Sequence, residues 1–165
     1  MAARSERSAK LSVLDRLIDN EPKRTSEAPA SPAQSLRELK ASLRRDIEWL
    51  LNTRRCIQEP PPGASELERS LHTYGLPDIC SLSLTTGHDY QRLARAMEAT
   101  LAGFEPRLKT IRVTPAPARD TASRVLRFQI DGVLRVEPVP EHLTFDTVLE
   151  LTSGEYEVKG EPSAG

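Results

Sequence analysis

Apolar residues recur along this chain at two periods, a helical one in the first two thirds and a strand-like one in the last third. Leu11, Leu14, Leu17 and Ile18 return at helical spacing, with Asp15, Arg16 and Asp19 between them. Two turns of helix are marginal alone in water, so this stripe must be received either by its own domain or by another subunit. A second stripe runs through Leu36, Leu39, Leu43, Ile47, Leu50 and Leu51, with Ser35 and Glu38 placed as a capping pair at its start. Arg54 and Arg55 follow at its C-terminal end, where the helix dipole favours cations. A third helix is predicted from about Asp89 to Ala102, carrying Tyr90, Leu93, Ala94, Met97, Leu101 and Phe104 on one face. Gly103 is placed as its C-cap, and Pro106 cannot continue it.

From Leu108 the period changes. Leu108 to Thr114 is rich in β-branched residues. Leu126, Phe128, Ile130, Gly132, Leu134 and Val136 alternate with Arg127, Gln129, Asp131, Val133, Arg135 and Glu137, the pattern of a half-buried strand. Gly132 marks a bulge or bend. Leu143, Phe145, Leu149 and Leu151 alternate with polar residues in the next strand. Ser153-Gly154 then turns the chain into a last one, where Tyr156 and Val158 alternate with Glu155, Glu157 and Lys159. Helices first and an antiparallel meander after predict an α+β fold, with N-terminal helices packed on one face of a small sheet formed by the C-terminal third. Pro22, Pro29 and Pro32 mark a tether. The expected organisation is a tail with a short amphipathic segment over 1–33, an α+β domain over 34–158, and a disordered tail over 159–165. Pro60-Pro61-Pro62-Gly63 opens a long connection containing a helical turn between Glu66 and Thr73 and an ordered loop at Tyr74-Gly75-Leu76-Pro77-Asp78.

Composition narrows the function by exclusion. Of the 165 residues 38% are apolar and 28% charged, an ordinary soluble balance, and only 4% are aromatic, so the core must be mostly aliphatic. A net charge of −1 provides no global attraction for nucleic acid or anionic lipid. Arg44, Arg45, Arg54 and Arg55 are interleaved with Asp46 and Glu48, which reads as a salt-linked, solvated face. No apolar run approaches the ~20 residues that span a bilayer. Cys56 and Cys80 form neither a disulfide framework nor a metal spacing and are expected as buried free thiols in a reducing compartment. His72, His88 and His142 fit no metal motif, and neither a Gly-rich phosphate loop nor a nucleophile elbow is present. No catalytic residue, metal or cofactor is assigned. Glu105 is the one tempting acid, but Arg107 two residues away favours a carboxylate's ionised form, the wrong direction for a general acid.

What remains points to contacts. Trp49 falls off the leucine stripe of its helix, beside Glu38 and Ser42, and is either buried on a second side of the helix or an interface anchor. Phe104-Glu105-Pro106-Arg107-Leu108 sits where helix gives way to strand, and its two charges form either a local ion pair or a handle for a partner.

Four segments together carry a resemblance: Ser12-Val13-Leu14-Asp15-Arg16-Leu17, Asp46-Ile47-Glu48-Trp49-Leu50-Leu51-Asn52-Thr53-Arg54-Arg55, Tyr74-Gly75-Leu76-Pro77-Asp78 and Phe104-Glu105-Pro106-Arg107-Leu108. In their order and spacing they resemble TssE, the small baseplate subunit of bacterial type VI secretion systems, which is similar to a wedge protein of contractile phage tails. The resemblance covers residues 11–158. It implies a cytoplasmic wedge component at the inner membrane, bound to TssF and TssG, with TssK and a VgrG-centred hub as neighbours. It also implies a template for the TssB/TssC sheath. The family's Glu-Pro-Arg motif maps onto Glu105, Pro106 and Arg107. On this reading Glu105, Pro106, Arg107, Leu14, Leu17, Ile18 and Trp49 meet partners. The backbone of Tyr156 and Val158, on the expected edge strand, receives a strand from the sheath. The readings set against it are a lysozyme-like peptidoglycan hydrolase and a general interaction module.

Overall fold

In the computed structural model, which describes residues 12–18, 31–68, 70–78, 87–116, 125–136 and 139–160, these patterns become four helices and four strands. Helix α1 is Val13–Leu17, α2 is Pro32–Asn52, α3 is the single turn Ser65–Glu68, and α4 is Gly87–Phe104. A 3-10 turn at Leu71–Thr73 follows α3. Strands β1 (Leu108–Ala116), β2 (Val125–Leu134), β3 (Glu141–Glu150) and β4 (Glu155–Lys159) form one antiparallel sheet in the order β1-β2-β3-β4. The α+β meander expected from the sequence is what forms. Leu11, Cys80, most of the proposed tether and the last five residues lie outside the described residues.

Local rules place the boundaries. α2 begins earlier than its leucine stripe suggested. Pro32 supplies the first helical residue and the Ser31 side chain accepts from the Gln34 N–H at 3.2 Å, while Ser35 is buried within the helix. Proline at that position loses no intrahelical bond, so Pro32, read as part of the tether, starts the helix. Gly103 is not a cap: α4 continues to Phe104 and makes one more bond, from the Glu105 N–H to the Leu101 carbonyl at 2.8 Å, before Pro106 stops it. Gly132 is not the bulge itself but faces it. Lys109 pairs with Val133 and Arg112 with Asp131, so Thr110 and Ile111 of β1 stand against Gly132 alone, with Thr110 at a φ of 52°.

The core joins Leu39, Leu43, Ile47, Leu50 and Leu51 of α2, Leu93, Met97 and Leu101 of α4, and the inward positions Phe128, Ile130, Leu134, Leu143, Phe145, Leu149, Tyr156 and Val158 of the sheet. It is mostly aliphatic, as the composition required. Leu151, expected on the inward face of β3, lies in the turn after the strand ends at Glu150 and is partly exposed. The strap at Gly75 and Leu76 ties the loop to the end of α2. The Leu76 N–H donates to the Thr53 carbonyl at 2.8 Å, and the Arg55 N–H donates to the Leu76 carbonyl at 2.9 Å. Gly75 has a φ of +97°, and a Cβ there would lie 2.2 Å from the Thr53 oxygen, so only glycine fits.

One inward position of β3 breaks the apolar pattern. Thr147 is fully buried and its hydroxyl has no hydrogen-bond partner among the described residues. An orphaned buried hydroxyl costs about 1–3 kcal/mol of desolvation. Thr147→Val keeps the shape and removes the hydroxyl. It should raise stability by about 1 kcal/mol, read from the denaturant midpoint. A lower midpoint would show that the hydroxyl is satisfied.

Candidate functional site

Pro106 turns the chain out of α4, and the turn brings Arg107 back over Glu105. The Arg107 backbone N–H donates to Glu105 Oε1 at 3.1 Å, its Nε donates to the same oxygen at 2.7 Å, and its Nη2 donates to Oε2 at 2.5 Å. Nη2 also reaches Asp46 Oδ2 of α2 at 2.7 Å, and Nη1 reaches Ser42 Oγ at 3.4 Å. Glu105 is only 5% exposed. The two charges therefore do not point together at a partner. They are an internal pair, because a carboxylate left at the buried end of α4 needs a cation and the i+2 arginine supplies it. Burial alone would lower the basicity of Arg107, but Glu105 and then Asp46 more than reverse this and hold the guanidinium charged.

The ladder of charge continues. Asp46 Oδ1 accepts from Arg45 Nη2 at 2.9 Å and Nε at 3.2 Å, and Arg45 Nη2 also donates to Asp15 Oδ1 of α1 at 2.6 Å. Asp15 Oδ2 accepts from Ser42 at 2.6 Å and from Ser12 at 2.5 Å. Ser12 is the N-cap of α1, and its oxygen accepts in turn from the Asp15 N–H at 3.1 Å. Glu105, Arg107, Asp46, Arg45 and Asp15 thus alternate in sign from the β1 corner across α2 to the N-terminal helix. The sequence reading missed this junction, although its basic cluster with interleaved acids was half of it. Ser12-x-x-Asp15 was the other legible signal.

The N-terminal helix is held by its polar side. None of its residues is buried, and its apolar residues face outward: Leu17 is 76% exposed, Val13 72%, Leu14 53%, and the flanking Ile18 46%. The segment docks in cis through Asp15 and leaves its apolar side chains exposed. Trp49 lies nearby and is 55% exposed, with the Arg45 guanidinium 5.0 Å above its ring. Of the two readings of Trp49, burial on a second side of α2 is excluded. Between the helix ends opens a cleft of about 400 Å³. Leu50, Tyr74, Phe104 and Pro106 give it apolar walls, and Ser12, Asp46, Glu105 and Arg107 line the rest. Tyr74 and Phe104 meet edge to face at 5.1 Å. Burial raises the pKa of the Tyr74 hydroxyl, and Asp46 and Glu105 raise it further.

β4 is an edge strand, as expected. The side chains of Tyr156 and Val158 are buried in the core. Burial also pushes the Tyr156 hydroxyl above the usual phenol range. The outward backbone N–H groups of both residues are bonded to side chains of α2, to Asn52 at Tyr156 and to Glu48 at Val158. Cys56, expected to be buried, is exposed in the segment after α2. The His72 ring bonds the Gln58 carbonyl at 2.7 Å, and no group of side chains among the described residues could hold a metal ion.

Residues 37–139 match the family described as baseplate wedge protein gp25. The chain belongs to this family. The match takes in most of α2, all of α4 and the Glu105-Pro106-Arg107 corner, and the wedge resemblance read from the sequence is borne out at that level. Among curated proteins none matches the chain. A solved chain from "The baseplate complex from the type VI secretion system" is similar at 21% identity, over 68% of this chain and 94% of that one, with a TM-score of 0.47. As a member of the wedge family the chain is a baseplate component, and none of the helices among the described residues is long and apolar enough to cross a membrane.

Removing one partner of a fully buried pair costs about 3–5 kcal/mol. The Arg107 side chain is 24% exposed, so Arg107→Ala should cost about 1–3 kcal/mol by chemical denaturation, with Arg107→Lys recovering part of it. An unchanged midpoint would place the corner outside the fold's stability.

Asp15 gives a pH signature. Burial opposes its ionisation, but hydrogen bonds from Ser12, Ser42 and Arg45 and the charge of Arg45 outweigh burial and bring its pKa from 3.8 to about 2. A depressed carboxyl contributes fully above its unfolded value and is lost as pH falls through its folded one. The anchoring of α1 should therefore weaken between about pH 4 and pH 2. Fluorescence of Trp49, the one tryptophan, reports this through Arg45. Asp15→Asn should lack that transition, and an identical titration in both proteins would contradict the anchor.

Proposed function

We propose that this chain is the TssE-type wedge subunit of a type VI secretion baseplate at the cytoplasmic face of the inner membrane. It binds TssF and TssG and templates the first ring of the TssB/TssC sheath, with TssK and the VgrG-centred hub close by. Membership of the wedge family carries the reading, together with the four sequence segments that resemble TssE. The role is assembly rather than catalysis. The buried carboxylate that a hydrolase reading needs, Glu105, has both oxygens engaged by Arg107.

The docking surface we assign is the outward face of α1 with Trp49. Exposed apolar side chains grouped in this way are characteristic of surfaces that meet other proteins. In this scheme Glu105, Pro106 and Arg107 act chiefly by holding the corner and the cleft in shape, with exposed Pro106 as the part a partner touches.

Leu14→Glu with Leu17→Glu should leave the melt nearly unchanged, since both side chains are exposed and surface changes fall within about 0.5 kcal/mol. The same protein should lose co-purification with TssF and TssG, and Trp49→Ala should weaken it. Retained co-purification in all three substitutions would exclude this face as the contact.

A further inference from the structure

β4 has β3 on one side and α2 on the other. Asn52 Oδ1 accepts from the Tyr156 N–H at 2.8 Å, and Asn52 Nδ2 donates to the Tyr156 carbonyl at 2.8 Å. Glu48 Oε2 accepts from the Val158 N–H at 3.2 Å. Asn52 thus exchanges with Tyr156 the two bonds that a residue of a neighbouring antiparallel strand would exchange. The spacing explains how a helix can do this. Glu48 and Asn52 are one helical turn apart, about 6 Å along the axis. Tyr156 and Val158 are two strand residues apart, about 7 Å. Two helix side chains therefore stand where alternate residues of a fifth strand would stand.

We propose that Glu48 and Asn52 are a strand-mimicking guard that keeps the β4 edge of one copy of this chain from pairing with the β4 edge of a second copy.

The sequence of β4 suits such pairing. In an antiparallel register centred on Glu157, Tyr156 lies opposite Val158 of the second copy and all four outward N–H and C=O pairs are used. Glu155 then lies opposite Lys159, an opposite-charge pair formed twice by the two-fold symmetry. Only Glu157 meets itself, a like-charge contact of the kind that discourages edge pairing. The other edge is blunted by other means. The Val113 N–H of β1 is held by Glu98 Oε1 at 2.7 Å, the next outward position is Pro115, which has no N–H, and the bulge at Thr110 and Ile111 twists the strand. β4 has no proline and no bulge, so its protection falls to α2.

The test uses the full chain with Cys56→Ser, Cys80→Ser and Glu157→Cys, which puts one thiol at the centre of the expected register. Directly opposed residues of a non-hydrogen-bonded pair lie close enough to form a disulfide under mild oxidation. With Glu48 and Asn52 present the protein should stay monomeric by light scattering. Adding Glu48→Ala and Asn52→Ala should double the mass at micromolar concentration and speed cross-linking through position 157 at least about tenfold. Circular dichroism checks folding of each variant. Asn52→Asp alone, which keeps the acceptor for Tyr156 but loses the donor to its carbonyl, serves if the double change unfolds, and should cross-link at an intermediate rate. A folded guard-free protein that stays monomeric and cross-links no faster would overturn the proposal, because the body of α2 would then be what excludes the second strand. Equal cross-linking with and without the guard would overturn it as well.

Discussion

The arrangement of helices on the sheet depends on α2 serving two environments at once. One side of it is a leucine and isoleucine stripe that must leave water, worth about 1.5–3 kcal/mol for each fully buried side chain. Its flanks carry Ser42, Arg45, Asp46, Glu48 and Asn52, and each of these bonds another element. Arg107 is the point where the two demands meet. It is the cation that lets Glu105 be buried at the end of α4, and it reaches Asp46, which fixes the β1 corner against α2. A carboxylate so placed cannot be left unpaired, so the direction of the chain after Pro106 is decided as much by charge as by the proline ring.

This arrangement changes what the N-terminal segment can be. A five-residue helix has little stability of its own, and one that buried its leucines would simply be part of the core. Here the chain attaches through a carboxylate and two serines and presents its leucines outward. Polar attachment costs little apolar surface and fixes orientation. A partner would then meet a helix already formed and positioned, which lowers the ordering entropy lost on binding. The same arginine that receives Asp15 also covers Trp49, so the outward apolar groups of two elements are held in one neighbourhood by Arg45.

The sheet shows the complementary economy. A small domain with few aromatic residues cannot spare core-forming helices for separate edge protection, and α2 and α4 each do both. Their apolar faces fill the core while Glu48, Asn52 and Glu98 occupy outward backbone donors of β4 and β1. An edge satisfied by side chains keeps its backbone geometry intact, unlike one broken by proline.

Much of this was legible in the chain. The change from a 3.6-residue to a two-residue period located the helices and strands, and alternation in β2 and β3 identified the inward residues Phe128, Ile130, Leu134, Leu143, Phe145 and Leu149. The resemblance carried by four short segments identified the wedge family, because such motifs are local and keep their order. Boundaries were less legible where one residue type serves two ends, as with Pro32, read as tether but starting a helix, and Gly103, read as a cap but lying within one. What sequence could not decide was where each polar side chain spends its hydrogen bonds. Glu105 and Arg107 are two apart in the chain, yet only the turn at Pro106 and the approach of α2 made them an internal ladder rather than a pair facing out. Asn52 lies 104 residues from Tyr156, and the apolar stripe of α1 could be assigned to neither core nor surface from its spacing. Periodicity records which side of an element is apolar. Which neighbour meets its polar side is a property of the packed chain, since it depends on distances between segments that the sequence leaves unspecified.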